Sequence, residues 1–328
     1  MKEGKIPPEL LKSLVFNNIK VRREEVILRP EIGEDCAAID FGSHACVLST
    51  DPITGAVKGA GALAIHISCN DVATSGVRPV GIMVTLLVPP EATEEDIKRV
   101  MEDAGEAAAK LGVEIIGGHT EITSAVNRIV ISTTALGKVL KDRIVRSSGA
   151  EVGDDVIMTK WAGLEGTSII AADKGKELSG RLTPEEIESA KAFIENISVV
   201  EEGVIAGEFG ASSMHDVTEG GILGAAWEIA ESSGKGIDIC IDDIPVREVT
   251  RKISNVFGID PYRLISSGSM LITAKNGAEL VRILEGKGIP SAIIGSITEQ
   301  GRNIIRNGET LPLNPPDVDE LFKAKDLH

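Results

Sequence analysis

The sequence predicts an α/β protein built from two domains. Segments with strand composition alternate with segments of helical periodicity, and this alternation resumes after a turn-rich stretch at 147–154. The length of 328 residues is enough for two domains of ordinary size. We therefore predict one domain over 1–150 and a second over 151–328.

The first half begins with short β segments. We predict strands at 26–31 and 36–50, the second of which carries Asp51 to a loop. Residues 58–76 are rich in Gly and Ala, which predicts a closely packed helix. The nearly continuous apolar run at 81–88 predicts a buried strand.

The clearest helix of the chain starts at Thr93. Asp96 three residues later makes a capping box, apolar residues follow at helical spacing, and Gly112 ends the helix. Strands are predicted next at 113–116 and at 128–139.

The second half continues the alternation. A strand is predicted at 156–160, a charged helical stretch at 183–207 and a helix at 222–232. The tail from Leu311 is rich in Pro and Asp and is expected on the surface. Three later apolar strands are predicted at 237–241, 269–274 and 291–297.

The composition excludes several classes of function. The net charge of -16 argues against nucleic acids and anionic membranes as partners. Aromatic residues make up only 3% of the chain, which is too few for a base-stacking surface. No apolar run is long enough to span a membrane. The four cysteines lack CxxC spacing, so we expect a cytoplasmic protein whose cysteines are small buried hydrophobes.

Five acidic residues recur in short turns rich in Gly, Ser or Thr. Carboxylates gathered at loop ends can hold Mg²⁺, which in turn binds phosphates, and a protein this acidic needs such a cation to bind a nucleotide. The alternative is that each acid caps a helix or a turn. The five acids are Asp35, Asp51, Asp71, Glu121 and Asp216.

Two further motifs could contact an anion. The glycine pair Gly117-Gly118 could bring backbone amides to a phosphate, although such a pair often marks only a turn. His119 is a candidate base or a hydrogen-bonded loop residue. His215-Asp216 precedes Thr218-Glu219-Gly220-Gly221 at a predicted helix start, where amides favour an anion; an ordinary N-cap is the alternative.

These blocks, in this order, resemble the aminoimidazole ribonucleotide (AIR) synthetase superfamily over about residues 30 to 300. Asn70-Asp71-Val72-Ala73-Thr74-Ser75-Gly76-Val77-Arg78-Pro79 is similar to the family's NDVAxSGAxP block, the most specific of the set. Ile244-Pro245-Val246-Arg247-Glu248 points to the HypE branch. The other matching blocks are Gly33-Glu34-Asp35-Cys36-Ala37, Ser49-Thr50-Asp51 and His215-Asp216-Val217-Thr218-Glu219-Gly220-Gly221.

The resemblance implies a fold and a site. The N-terminal half would be a ferredoxin-like domain that pairs in a homodimer around a central barrel, with ATP near that interface, and a C-terminal α/β domain would close over it. Asp35, Asp51, Asp71 and Asp216 become Mg²⁺–phosphate residues. Asp71, His119 and Asp216 become the catalytic candidates. The implied nucleotide contacts are Asp35, Ser49, Thr50, Asn70, Gly117, Gly118 and Thr120.

The chain also departs from the branches it resembles. HypE proteins act on a cysteine at their own C-terminal end, whereas the last cysteine here is Cys240. Glu121 and Ser267 stand where HypE has Lys and Glu. Selenophosphate synthetase needs a reactive Cys or Sec near its N-terminus, and residues 1–30 contain no cysteine.

We therefore expect an ATP- and Mg²⁺-dependent enzyme that phosphorylates or dehydratively activates a small substrate other than its own tail. A kinase like thiamine-monophosphate kinase and a catalytically silent ATP-binding subunit remain the alternatives. The expected partners are a second copy of the chain and either a small-molecule substrate or a maturation partner protein.

Overall fold

The computed structural model describes residues 6–54 and 59–326, which form strands β1–β13 and helices α1–α11. The strands are β1 Val26–Leu28, β2 Ala37–Phe41, β3 His44–Ile53, β4 Pro79–Val88, β5 Glu114–Ile122, β6 Val130–Leu140, β7 Asp155–Thr159, β8 Ser213–Asp216, β9 Gly236–Cys240, β10 Met270–Ala274, β11 Ser291–Thr298, β12 Arg302–Arg306 and β13 Glu309–Pro312. The helices are α1 Pro8–Leu14, α2 Ala60–Thr74, α3 Glu94–Leu111, α4 Leu164–Asp173, α5 Gly175–Leu178, α6 Pro184–Lys191, α7 Val200–Phe209, α8 Gly221–Ser233, α9 Glu248–Phe257, α10 Gly277–Gly286 and α11 Glu320–Asp326.

The strands form two mixed sheets, one in each half of the chain. The first has six strands in the order β1-β2-β3-β6-β4-β5, and the second has seven in the order β13-β12-β9-β11-β7-β10-β8. Only β4–β5 and β12–β9 pair in parallel among the strands described. The mixed α/β class is confirmed. The domain boundary near residue 150 stays a prediction.

Several elements of the first half match the sequence closely. Helix α3 begins with the predicted capping box, in which the amide of Asp96 donates to Thr93 Oγ1 at 3.2 Å and the amide of Thr93 donates to Asp96 Oδ2 at 2.9 Å. It ends at Gly112, whose φ of 68° suits glycine. Asp51 differs from the expectation, because β3 continues past it to Ile53 instead of ending in a loop.

The segment Gly117-Gly118-His119-Thr120 is also not a loop. It lies inside β5, the edge strand of the first sheet, where Gly118 pairs with Val84 of β4. A Cβ on Gly118 would lie 1.8 Å from the carbonyl oxygen of Val84, so the close approach of the two strands requires glycine there.

Two predictions for the second half are wrong in part. The helical stretch at 183–207 is broken, because α6 passes into a 3₁₀ turn and 197–199 is irregular before α7 begins. The tail is not confined to the surface, since Leu313 and Leu321 are buried against the second half.

The two halves share one continuous apolar core at the contact between α2 and α7. A Cβ on Gly203 would lie 2.4 Å from the carbonyl oxygen of Ala73, and one on Gly207 would lie 2.6 Å from the Cα of Gly76. Glycine therefore lets the two helices meet backbone to backbone. In the part of the chain that the structure describes, no helix combines the length and apolarity needed to cross a membrane.

Candidate functional site

The predicted acid Asp71 lies on α2 beneath the first sheet. Because side chains alternate along a strand, Ser49 and Asp51 of β3 project toward α2 on the same face. Ser49 Oγ donates to Asp71 Oδ2 at 2.7 Å, and the thiol of Cys36 donates to the carbonyl oxygen of Asp71 at 3.0 Å. The Asp71 side chain is buried, so its charge is poorly solvated.

The fold brings four of the predicted acids together. Burial raises the pKa of Asp71 well above its usual range, and the neighbouring carboxyl groups of Asp216, Asp51 and Asp35 raise this pKa further. Asp216 lies on β8 of the second sheet, so acids from both halves act on one another. Such a group favours a bound cation, because a cation would offset the mutual repulsion.

His215 supplies a positive charge inside this cluster. Its Nδ1 donates to the carbonyl oxygen of Asp216 at 2.6 Å and lies 3.5 Å from Asp35 Oδ2, and its Nε2 lies 3.3 Å from Glu228 Oε2. Burial lowers the pKa of His215, but the carboxylates of Asp35, Glu228 and Asp216 together raise it to about 10. The imidazole is therefore positively charged at neutral pH.

The donor atoms of the site fit a hard divalent cation. One ligand atom each from Asp35, His215 and Asp216 lie within 4.8 Å of one another. Mg²⁺ is a hard cation that prefers oxygen ligands, so the carboxylate oxygens of Asp35 and Asp216 are the groups that suit it. Cys36 contributes no nucleophile, because burial and the nearby carboxylates of Asp71 and Asp35 raise the pKa of its thiol well above the usual range.

Two predicted nucleotide contacts have their polar atoms engaged within the protein. Thr50 Oγ1 donates to the carbonyl oxygen of Thr133 at 2.9 Å and accepts from Thr134 Oγ1 at 3.0 Å. Asn70 is fully buried, and its amide bonds to the backbone of 197–199 in the second half. We therefore do not propose either residue as a nucleotide contact.

The structure places the β5 residues apart from the acids of the same chain. Two strands, β6 and β4, separate β3 from β5, so Gly117, Gly118, His119 and Thr120 lie about 14 Å from the strand of Asp51. The His119 side chain is exposed, with its Nε2 3.6 Å from Glu121 Oε2. Within one chain, His119 and Asp71 are therefore not neighbours.

The predicted anion site at the start of α8 is occupied by the protein itself. The amide of Gly220 donates to Asp319 Oδ2 at 2.7 Å, and the amide of Leu321 donates to Asp319 Oδ1 at 2.8 Å. Pro316 packs over the same turn, so closely that a Cβ on Gly220 would lie 2.9 Å from the Cβ of Pro316. A carboxylate from the tail thus fills the place predicted for a ligand's anion.

Sequence reasoning missed a second buried acid close to this turn. Glu165 on α4 is buried, and burial raises its pKa to about 7, although the Ser267 hydroxyl opposes that change. The carboxyls of Asp319 and Glu219 contribute to the same rise. An acidic residue next to glycines, as in Leu164-Glu165-Gly166, carries no local signal that it will be enclosed.

Two family models match the chain. The model described as AIR synthase related protein, N-terminal domain, matches residues 33–139, and the one described as AIR synthase related protein, C-terminal domain, matches residues 151–307. The matched stretches contain the first sheet from β2 to β6 and the second sheet from β7 to β12.

Two relatives illustrate the similarity in sequence. A putative hydrogenase expression/formation protein of Methanocaldococcus jannaschii is 27% identical over 311 residues, which cover 92% of this chain and 90% of the relative. Carbamoyl dehydratase HypE of Bradyrhizobium diazoefficiens is 28% identical over 246 residues, covering 73% of this chain and 69% of that protein.

Solved structures share the fold along nearly the whole chain. A chain of a HypE–HypF complex superposes with a TM-score of 0.78 at 22% identity, covering 94% of this chain and 99% of that one. AaThiL complexed with AMPPCP and TMP superposes with a TM-score of 0.74 at 20% identity, covering 94% of this chain and 97% of that one. HypE in complex with ATP superposes with a TM-score of 0.70 at 22% identity, covering 98% of this chain and 97% of that one.

Proposed function

The chain belongs to the AIR synthase-related family, and we propose that it is an ATP- and Mg²⁺-dependent enzyme. In this proposal it phosphorylates, or activates by transient phosphorylation, a small substrate with a carbonyl, amide or phosphate group. Relatives named carbamoyl dehydratase, and fold neighbours complexed with ATP or AMPPCP, support an ATP-using function.

The observation that carries the proposal is the convergence of Asp35, Asp51, Asp71 and Asp216. Two halves of the chain contribute to one acidic group, and the pKa of Asp71 is raised because burial and the neighbouring carboxyls disfavour its charge. A Mg²⁺ ion bound there would neutralise phosphate oxygens during phosphoryl transfer.

The neighbouring side chains hold these acids in place. Ser49 donates a hydrogen bond to one oxygen of Asp71 and so restrains the orientation of its carboxyl group. His215 bridges Asp35 of the first half and Glu228 of the second. We propose that His215 limits the excess negative charge so that the site can also accept the phosphates of a nucleotide.

We propose that the protein acts as a homodimer through the first sheet. Helices α2 and α3 cover one face of this sheet, whereas the other face and the edge strand expose Val80, Met83 and Ile116. A second copy would cover these apolar side chains and would place its own β5 close to this face. His119 would then have access to a nucleotide that it does not approach within its own chain.

Two alternatives remain, each with its own motivation. A kinase resembling thiamine-monophosphate kinase is favoured by the similarity in fold to AaThiL. A catalytically silent ATP-binding subunit is favoured by Glu121 and Ser267, which differ from the HypE pattern. The HypE–HypF neighbour motivates a maturation partner protein as a substitute for a small-molecule substrate.

Binding of ATP followed by turnover separates these three hypotheses. The full-length protein is titrated with ATP in Mg²⁺ and in EDTA, and ADP release is then measured with thiamine monophosphate, with carboxamides and with no substrate. Substrate-stimulated ADP release supports an enzyme. Tight binding with ADP release never above background supports the silent subunit, and no ATP binding in Mg²⁺ would contradict all three hypotheses.

A further inference from the structure

The irregular stretch at 197–199, here called the 197–199 linker, is hydrogen-bonded by side chains from both halves. From the first half, Asn70 Nδ2 donates to the carbonyl oxygen of Ile197 at 2.8 Å, and Asn70 Oδ1 accepts from the amide of Val199 at 2.8 Å. A carboxamide can donate and accept in one plane, which neither an aspartate nor an aliphatic side chain can do.

Lys160 of the second half holds the same linker from the other side. Its Nζ donates to the carbonyl oxygens of Ser198 at 2.7 Å and Gly268 at 2.8 Å, and it forms an ion pair with Glu202. Lys160 has a φ of 58°, a conformation that is rare for residues other than glycine. The surrounding bonds hold it in that conformation. Asn70 and Lys160 together thus bond to two carbonyl oxygens and one amide of the linker.

The linker leads directly into α7, which packs on α2. Gly203 and Gly207 of α7 contact Ala73 and Gly76 backbone to backbone. No side chain lies between the helices at these points, so a displacement of α7 would be passed directly to α2. Asn70 is adjacent to Asp71 in the chain, and Asp71 interacts electrostatically with Asp216 of the second half. The bonds of Asn70 therefore act at the point where the two groups of acids meet.

We propose that Asn70 is a positioning residue that sets Asp71 against Asp216 by clasping the 197–199 linker. It does not contact the nucleotide. This inference rests on the proposed function in one respect: the positioning of Asp71 against Asp216 serves to bind a Mg²⁺ ion between acids of both halves. The clasp itself is independent of any ligand.

The test compares Asn70→Ala with Ser68→Ala in the full-length protein. Ser68 lies on the same helix and is fully buried, but its hydroxyl bonds to Thr133 within the first half. Ser68→Ala therefore reports the loss of a buried polar group on α2 without loosening the clasp.

The first readout is hydrogen exchange of the ligand-free proteins, followed by mass spectrometry. Asn70→Ala should accelerate exchange in peptides covering the linker and the start of α7 by roughly tenfold or more, because the amide of Val199 loses its acceptor. Ser68→Ala should leave these peptides unchanged. Equal exchange rates of the linker in the wild type and Asn70→Ala would contradict the claim that the hydrogen bonds of Asn70 hold the linker in place.

The second readout is the Mg²⁺ dependence of ATP binding. Asn70→Ala should lose about tenfold in ATP affinity with Mg²⁺ and less than about twofold in EDTA, whereas Ser68→Ala should lose little in either. Unchanged Mg²⁺-dependent affinity in Asn70→Ala would overturn the positioning role and leave the proposed function standing. If the wild type binds no ATP, the proposed function fails, and the exchange measurement still decides the clasp.

A second variant covers the case in which Asn70→Ala does not fold. Asn70→Asp has nearly the same shape and keeps the acceptor for Val199, and its ionised form lacks the donor to Ile197, so the exchange is compared at alkaline pH, where the carboxyl is ionised. Exchange in the linker should then be intermediate between the wild type and a freed linker. Wild-type exchange throughout the linker in Asn70→Asp would contradict the need for the donated bond.

Discussion

Ser49 Oγ donates to Asp71 Oδ2 at 2.7 Å and so ties strand β3 to helix α2 at the centre of the acidic cluster. This bond joins two of the sequence blocks that are 22 residues apart in the chain. It also fixes the buried carboxyl whose pKa responds to acids from both halves. The proposed Mg²⁺–ATP site depends on that carboxyl and on the charged groups that surround it.

The charge on His215 should be essential for the stability of the cluster. His215→Gln would leave Asp35, Asp216 and Glu228 without the cation that they surround. We expect a loss of about 3–5 kcal/mol in the free energy of unfolding, measured by chemical denaturation. Added Mg²⁺ should recover more stability in this variant than in the wild type. A variant as stable as the wild type would show that His215 is not the charged partner of these acids.

Glu165 should make stability depend on pH. Its pKa is raised by burial from 4.5 to about 7 in the folded state, so the stability it contributes is fully present below pH 4.5 and is lost as the pH rises through 7. Between pH 5 and pH 8 the wild type should lose up to roughly 3 kcal/mol relative to Glu165→Gln. The exposed Glu188→Gln is the matched control and should follow the wild type. Parallel curves for the wild type and Glu165→Gln would rule out the raised pKa.

The tail should contribute to the stability of the fold as far as Ala324, and the residues after Ala324 should contribute little. Leu313, Leu321 and Ala324 are buried, and Asp319 accepts from Gly220 at the start of α8. Deleting 325–328 should therefore leave the melting temperature and ATP binding nearly unchanged. Deleting 313–328 removes two buried leucines and the carboxylate, which we expect to cost several kcal/mol. Equal melting temperatures for the two deletions would contradict the docked tail.

The exposed face of the first sheet should be an interface between two copies. Light scattering should give a mass near twice 34.6 kDa at micromolar protein. Met83→Asp should shift the mass toward the monomer, because a charge would be buried in an apolar contact. Lys98→Asp, on the exposed side of α3, changes charge without touching that face and should remain dimeric. A wild-type protein that stays monomeric would remove the basis for a role of His119 in a neighbouring site.

The sequence predicted the elements whose signals are local. Helix α3 was readable from Thr93, Asp96 and Gly112, and the acids of the cluster from the order of short motifs around Asp35 and Asp71. For α3 the deciding residues lie within one helix, so periodicity and capping were sufficient. The acids are spread along the chain, and the resemblance of the ordered motifs to a known family was what implied their shared site.

What the sequence could not predict depends on contacts between distant residues. Asp319 reaches Gly220 across 99 positions, and no local pattern marks a tail acid as the occupant of a helix start. Gly117 and Gly118 read as a turn because the approach of β4, which requires a glycine at Gly118, is a tertiary contact. Asn70 sat in a recognised motif, and only the structure showed that its amide binds the other half.

The role of the acidic cluster is tested most directly by the affinity for ATP with and without Mg²⁺, measured by calorimetry on the wild type, Asp71→Asn and Asp51→Asn. We predict that Mg²⁺ strengthens ATP binding to the wild type. Asp71→Asn should stay folded and lose on the order of 1.5–3 kcal/mol of that binding, roughly 10- to 150-fold in Kd, with Asp51→Asn affected in the same direction. Unchanged Mg²⁺-dependent affinity in both folded variants would contradict the assignment of this cluster as the Mg²⁺–ATP site.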